Sequence, residues 1–232
     1  MSEFSLEAAA DGVHQQALAM ASRVPGRGLA LDAPCGAGAL ATALRGIGYQ
    51  VTGVDVAVHA DQQLPSANFT QADLNRGVPF PDAHFDLVLS VEGIEHLESP
   101  AAFVRELVRV LRPGGQLILS TPNVLNVASR WRFFTRGFHK HFTPDAKARL
   151  SSGHLHAVDY VLVRQFLEAA GLTIEEVATN RLLRGLRERF FGMIIRWATR
   201  GRHPFAEPLL SDELLYGQVL MVRARRPLPS HP

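Results

Sequence analysis

The chain contains a single cysteine, Cys35, in 232 residues, so no disulfide can form within it. That count fits a reducing compartment. No run of about 18 apolar residues occurs, so no membrane-spanning helix is expected. The opening Met1-Ser2-Glu3-Phe4 lacks the basic and apolar stretches of a secretory signal. The expectation is therefore cytoplasmic, with contact to the inner face of the membrane as an option. Charge of one sign is lacking too. Lys and Arg number 24 against 22 Asp and Glu, and a net +2 is too little to argue for nucleic acid.

What is present is ordinary globular material. Hydrophobic residues make up 47 % of the chain, enough to fill the core of a single domain over 1–232. An N-terminal region, 1–28, carries a helix over 4–23, with Leu6, Val13, Ala17 and Met20 at helical spacing and Pro25-Gly26 as its stop. Strands are expected at 29–33, 50–54, 68–72, 85–90, 116–120, 172–178 and 216–225. Helices are expected at 38–46, 100–111 and 159–170. Pro100 opens the middle helix, and Pro113-Gly114-Gly115 follows it. Residues 124–157 read as irregular or short helix, and 181–214 as an insertion. Strands alternating with helices imply an α/β fold with a mainly parallel sheet covered on both faces. Ligands of such sheets bind beyond the carboxyl ends of the strands. Asp32, Asp55, Asp73 and Glu92 all fall there.

The run Leu31-Asp32-Ala33-Pro34-Cys35-Gly36-Ala37-Gly38 joins the first strand to the first covering helix. Gly36 and Gly38 permit a tight bend and close approach of a ligand. Gly36-Ala37-Gly38-Ala39-Leu40-Ala41 also fits a dinucleotide fingerprint. Asp32 argues against that, because a carboxylate beside a pyrophosphate is repelled. The same carboxylate suits a cationic amino group. Asp55 can accept ribose hydroxyls, and Asp73 an adenine amino group. Together the acids suit a ligand with a sulfonium, an ammonium, a ribose and an adenine.

On these motifs the chain resembles the class I methyltransferase family. The matching pieces are the glycine run, Val51-Thr-Gly-Val-Asp55, Ala72-Asp-Leu74, the stretch 79–90 and Leu111-Arg-Pro-Gly-Gly-Gln-Leu-Ile-Leu-Ser-Thr121. The resemblance implies a Rossmann-like, seven-stranded, mostly parallel sheet with an antiparallel last strand and a helical insertion before it. It implies S-adenosylmethionine contacts at Asp32, Gly36, Gly38, Asp55 and Asp73, and at the flanking Ala33, Cys35, Val56, Leu74 and Val91. Pro34 and Cys35 depart from the family, which often has Gly-Cys or Gly-Thr.

After the fourth strand stands Glu92-Gly93-Ile94-Glu95-His96. Ubiquinone-pathway and small-RNA 2′-O-methyltransferases use a similar pattern for a divalent cation. The resemblance would place a metal such as Mg²⁺ on Glu92, Glu95 and His96, with His154 or His156 completing the set. Alternatively His96 is a base or substrate contact, or the turn is only structural. His96 and His141 are the candidate catalytic groups.

Two segments lie outside the shared frame. Residues 123–157 interleave Trp131, Phe133, Phe134 and Phe138 with Arg130, Arg132, Arg136 and Lys140. They form either a cap over an acceptor, with Trp131, Phe134 and His154 as substrate contacts, or a helix that packs its aromatics inward. Across 181–203 seven arginines meet one acid, Glu188, while Leu183, Leu186, Phe190, Ile194 and Trp197 recur at helical spacing. Such a basic amphipathic helix suits a membrane surface, a homodimer face or a lid. Short motifs (Glu92 to Glu98, Ser120-Thr-Pro-Asn123, Gly137-Phe138) are similar to bacterial glycan and glycolipid methyltransferases. The expected acceptor is thus a hydroxyl of a small or lipid-linked molecule, a sugar first and a quinone-like phenol second. An RNA 3′-terminal ribose is the alternative, although no RNA-binding module is visible. A cofactor-binding module without catalysis is a third option.

Overall fold

The computed structural model describes residues 10–145, 153–200 and 208–229. Seven strands form one sheet: β1 Leu29–Asp32, β2 Gln50–Asp55, β3 Phe69–Gln71, β4 Phe85–Ser90, β5 Leu111–Pro122, β6 Thr173–Thr179 and β7 Val219–Arg225. Their spatial order is β3-β2-β1-β4-β5-β7-β6. β7 runs antiparallel to β5 and β6, and the first five pair in parallel. The chain thus reverses its winding between β1 and β4, which opens a crevice at the strand tips.

The helices are α1 Val13–Ser22, α2 Ala39–Gly46, α3 Pro100–Val110, α4 Val127–Arg136, α5 Tyr160–Ala169, α6 Leu186–Thr199 and α7 Asp212–Tyr216. Side chains alternate across the sheet and build two cores. Ala30, Leu87, Leu89 and Ile118 meet α1 and α2 through Met20, Leu40 and Leu44. Leu31, Val88, Leu117 and Leu119 meet α3 and α5 through Phe103, Leu107, Val163 and Leu167. Each such large side chain, fully buried, stabilises the fold by about 1.5–3 kcal/mol.

Several expected boundaries move. Residues 1–9 of the expected N-terminal helix lie outside the described residues; within them α1 starts at Val13, behind Gly12 at φ 83°. β5 begins at Leu111, five residues earlier than expected. Phe85 pairs with Leu111 and Leu87 with Gln116, so Pro113-Gly114-Gly115 bulges out of the ladder instead of preceding it. The last strand begins at Val219, because Ser211 caps the short α7 just before it. Within 124–157, Asn126 caps α4 by accepting the Ser129 N–H at 2.8 Å, and Gly137 closes that helix at φ 79°.

Candidate functional site

The tip of β1 bends through the glycine run, which is held from two sides. Cys35 N–H donates to the Val54 carbonyl at 2.9 Å, and Gly36 N–H donates to Asp55 Oδ2 at 2.8 Å. Asp55 Oδ1 accepts the Ala57 N–H at 3.2 Å. Its carboxylate therefore braces the bend first, and each oxygen keeps one further acceptor position. Residues 56–65 fold back over the bend without a helix. Gln62 donates to the Gly36 carbonyl at 3.2 Å, and Gln63 N–H to that of Ala37 at 2.8 Å. The two glycines serve different needs. At Gly38 φ is 84°, and a Cβ would crowd Gln62 Oε1 at 2.6 Å and the Leu64 backbone nitrogen at 3.3 Å, so the chain's own conformation calls for glycine there. At Gly36 φ is 51° and an added Cβ would meet nothing within 4 Å, so this edge is open to a ligand.

Asp32 is 1 % exposed, and its Oδ2 has no hydrogen-bond partner among the described residues. Burial, then the nearby Asp55 charge, pushes its pKa up to about 8. Burial, then the Asp32 and Asp55 carboxyls, raise the Cys35 thiol, so it is an inert neighbour rather than a nucleophile. Ala33 is tied to Leu89 through its N–H at 3.0 Å. Asp73 caps a short turn by accepting from Asn75 at 3.0 Å and is partly exposed. Leu74 and Val91 are buried walls, whereas Val56 is 60 % exposed.

The segment beyond β4 departs from expectation. Glu92 sits at φ 47°, a strained setting for a non-glycine residue. Its N–H donates to Ser120 Oγ at 3.0 Å, and its Oε2 accepts the Ala10 N–H at 2.8 Å. It is thus spent on clipping α1 to the strand tips, and the expected trio Glu92, Glu95 and His96 does not assemble. Instead Glu95, His96 and His154 bring one ligand atom each within 4.8 Å of one another. The backbone explains why: the Glu95 carbonyl accepts from Leu155 N–H at 2.8 Å and His156 N–H at 3.2 Å, drawing the 153–156 stretch over the turn. His154 then lies 4.8 Å from His96, ring centre to ring centre. His156 contributes only backbone.

Glu95 is fully buried, and neither carboxylate oxygen has a hydrogen-bond partner among the described residues. Burial raises its pKa to about 8. Burial and His154 lower that of His96, which keeps its ring neutral near pH 7. Ser90 Oγ and Thr121 Oγ1, at the tips of β4 and β5, are buried and likewise without a partner. Such orphans gathered at one end of a sheet mark a place that a polar ligand completes. Sequence reasoning missed Ser90, Thr121 and Gln62 as site groups: Ser90 and Thr121 close matching strand motifs, where they read as backbone, and Gln62 lies outside every motif.

A cleft of about 350 Å³ lies beside this cluster, under α4. Trp131, Arg132, Arg136, Lys140, His141 and Arg187 line it, together with Asn123 and Asn126. No carboxylate is in the lining. Arg132 Nε is buried without a hydrogen-bond acceptor among the described residues, and its guanidinium lies 5.0 Å over the Phe138 ring. His141 connects the cleft to the cluster: its carbonyl lies 3.1 Å from His154 Nδ1. Partial desolvation and the Lys140 charge hold the His141 ring well below the ordinary imidazole pKa. Of the expected substrate contacts, Trp131 lines the cleft and stacks on Phe191 at 4.7 Å, His154 stands between cleft and cluster, and Phe134 points away, 81 % exposed.

Residues 31–119 match the family model of a methyltransferase domain. A probable S-adenosylmethionine-dependent methyltransferase of Mycolicibacterium smegmatis is 30 % identical over 203 residues, covering 83 % of this chain and 72 % of that protein. A ubiquinone biosynthesis O-methyltransferase of Maricaulis maris is 34 % identical over 101 residues, covering 40 % of each. Among solved structures, an S-adenosylmethionine-dependent methyltransferase from Mesorhizobium loti shares the fold at TM-score 0.56 and 20 % identity, over 93 % of this chain and 99 % of that one.

Proposed function

Since the chain belongs to the class I S-adenosylmethionine-dependent methyltransferases, we propose that it methylates a hydroxyl oxygen of a small or lipid-linked acceptor, such as a sugar or glycolipid. The observation that carries this reading is the neutral His96 beside the orphaned acids at the strand tips, next to a cationic cleft. When bound, S-adenosylmethionine supplies an electrophilic methyl group on sulfur. Asp32 would meet its ammonium, which matches the unpartnered Oδ2. The open edge at Gly36, with Asp55 and Asp73, would hold the nucleoside.

His96 would accept the acceptor hydroxyl's proton. Its Nδ1 edge faces Gly153, where an added Cβ would lie 3.1 Å away, so Nε2 is the available atom. Arg132, Arg136 and Lys140 would orient an acceptor that carries an anionic group, and Trp131 would cover its apolar part. Oxygen chemistry is also what the ubiquinone relative's name states of that protein. The expected result is S-adenosylhomocysteine release with a sugar-hydroxyl acceptor, and a kcat about 10²–10⁴-fold lower for His96→Asn with unchanged cofactor affinity. If His96→Asn turns over normally, the base is elsewhere. If no acceptor is methylated, the chain is a binding module.

A second reading is favoured by the Glu95, His96 and His154 cluster alone: a metal-dependent enzyme acting on an RNA 3′-terminal ribose. Two imidazoles and one carboxylate suit Mn²⁺ or Zn²⁺ better than Mg²⁺, which prefers all-oxygen ligands. That reading expects activity to vanish with chelator and return with Mn²⁺, and RNA binding to weaken steeply with salt. Activity that survives chelation removes it.

A further inference from the structure

The insertion folds as α6, and its two faces are occupied differently. Phe191 and Ile195 turn inward and pack on Val127, Leu215 and Tyr216. Gly192 lets the helix sit tightly, since a Cβ there would strike the Tyr216 hydroxyl at 2.1 Å. The opposite face carries Leu186, Phe190, Met193 and Ile194, exposed by 88, 55, 60 and 41 %. Trp197, 73 % exposed, continues the row. The spacing of 186, 190, 193 and 197 is one stripe along a helix. Phe133 and Phe134 on α4 add exposures of 51 and 81 %.

The rim of this stripe is positive. At 100° per residue, Arg187 flanks it on one side and Arg189, Arg196 and Arg200 on the other. Asp212 pairs with Arg184 and Arg196, and Glu188 with Arg187 at 3.4 Å. Arg136, Arg189 and Arg200 meet no carboxylate among the described residues. No helix among the described residues is long and apolar enough to cross a membrane.

From this we propose that α6, with the exposed aromatics of α4, docks flat on an anionic lipid bilayer. The apolar stripe would enter the headgroup boundary while Arg189 and Arg200 meet lipid phosphates. Charge decides among occupants. A second copy packed on this face about a twofold axis would set one arginine rim against the other. An anionic lipid surface complements the rim instead. Arg187 belongs both to this face and to the cleft lining, so docking would present the cleft at headgroup level. The inference goes beyond the methyl-transfer reading and does not depend on it.

The test is flotation of the full chain with phosphatidylglycerol-rich vesicles against pure phosphatidylcholine. Binding is expected to the anionic vesicles only, to fall as salt rises, and to drop at least about tenfold in Phe190→Glu/Met193→Glu. Arg189→Glu/Arg200→Glu, which leaves the stripe intact, should lose binding as well. S-adenosylmethionine affinity, unchanged in both variants, reports that they are folded. Equal binding to both vesicle types, no binding to either, or dimerisation that the Phe190 variant abolishes would each overturn the proposal. None of these outcomes bears on whether methyl transfer occurs.

Discussion

Asp32→Asn is expected to weaken S-adenosylmethionine binding about 10–100-fold, the worth of a hydrogen bond to a charged group. It is also expected to flatten the pH dependence of binding. In the free protein Asp32 holds its proton up to about pH 8, because it is buried and lies near Asp55. A bound ammonium requires the carboxylate, so binding must expel that proton. Affinity therefore rises with pH by up to about tenfold per unit, until the ligand's own α-amino group loses charge at about 7.7–8.0. Asn has no proton to release, so its affinity stays level. Calorimetry across this range, in buffers of different ionisation enthalpy, reads both effects. A wild-type affinity that ignores pH, or an Asn variant that binds as tightly, would remove Asp32 from the cation site. The glycine bend should survive the change, because Asp55 and Cys35 hold it.

The second large effect concerns Glu95. Burial lifts its pKa from 4.5 to about 8 in the folded chain. Between these values the unfolded chain has released the proton and the folded chain keeps it. The folded state binds more protons there, so stability falls as pH rises through the window. One such group accounts for up to about 1.4 kcal/mol per pH unit. Glu95→Gln is expected to remove that slope and to leave the part due to Asp32. Urea unfolding at several pH values, cofactor-free, measures it. A slope identical to wild type would mean that Glu95 ionises freely and is not as dry as its surroundings indicate. Mn²⁺ bound at Glu95, His96 and His154 would drive off the proton and flatten the wild-type slope by itself. The same experiment thus separates the metal-dependent reading from the metal-free one.

The strand tips were legible because their signal is local. An almost entirely apolar run marks Phe85–Ser90, and a glycine pair after Asp32 marks a bend whatever lies around it. The four acids at strand ends follow from counting along short elements. Their partners did not follow. Glu92 looks like a ligand in sequence, yet Ala10, 82 residues away, takes its carboxylate. His154 reaches His96 only because the Glu95 carbonyl receives two backbone N–H groups from the distant 155–156 pair. No pattern within either segment encodes that pairing.

The insertion shows the division most sharply. The residues at 186, 190, 194 and 197 announce an amphipathic helix, and a helix forms there. The spacing left open what the stripe faces; the structure packs Phe191 and Ile195, partly buried, on Val127, Leu215 and Tyr216 and leaves the stripe outside. The amino-acid order by itself determined the elements, the parallel sheet and the acids around the glycine bend, since periodicity and turn chemistry act over a few residues. Only the tertiary structure decided which carboxylates are spent on backbone, which imidazoles meet and which helix face stays in water. Those outcomes depend on contacts between segments far apart in the chain, and packing selects among faces that local propensity leaves equal.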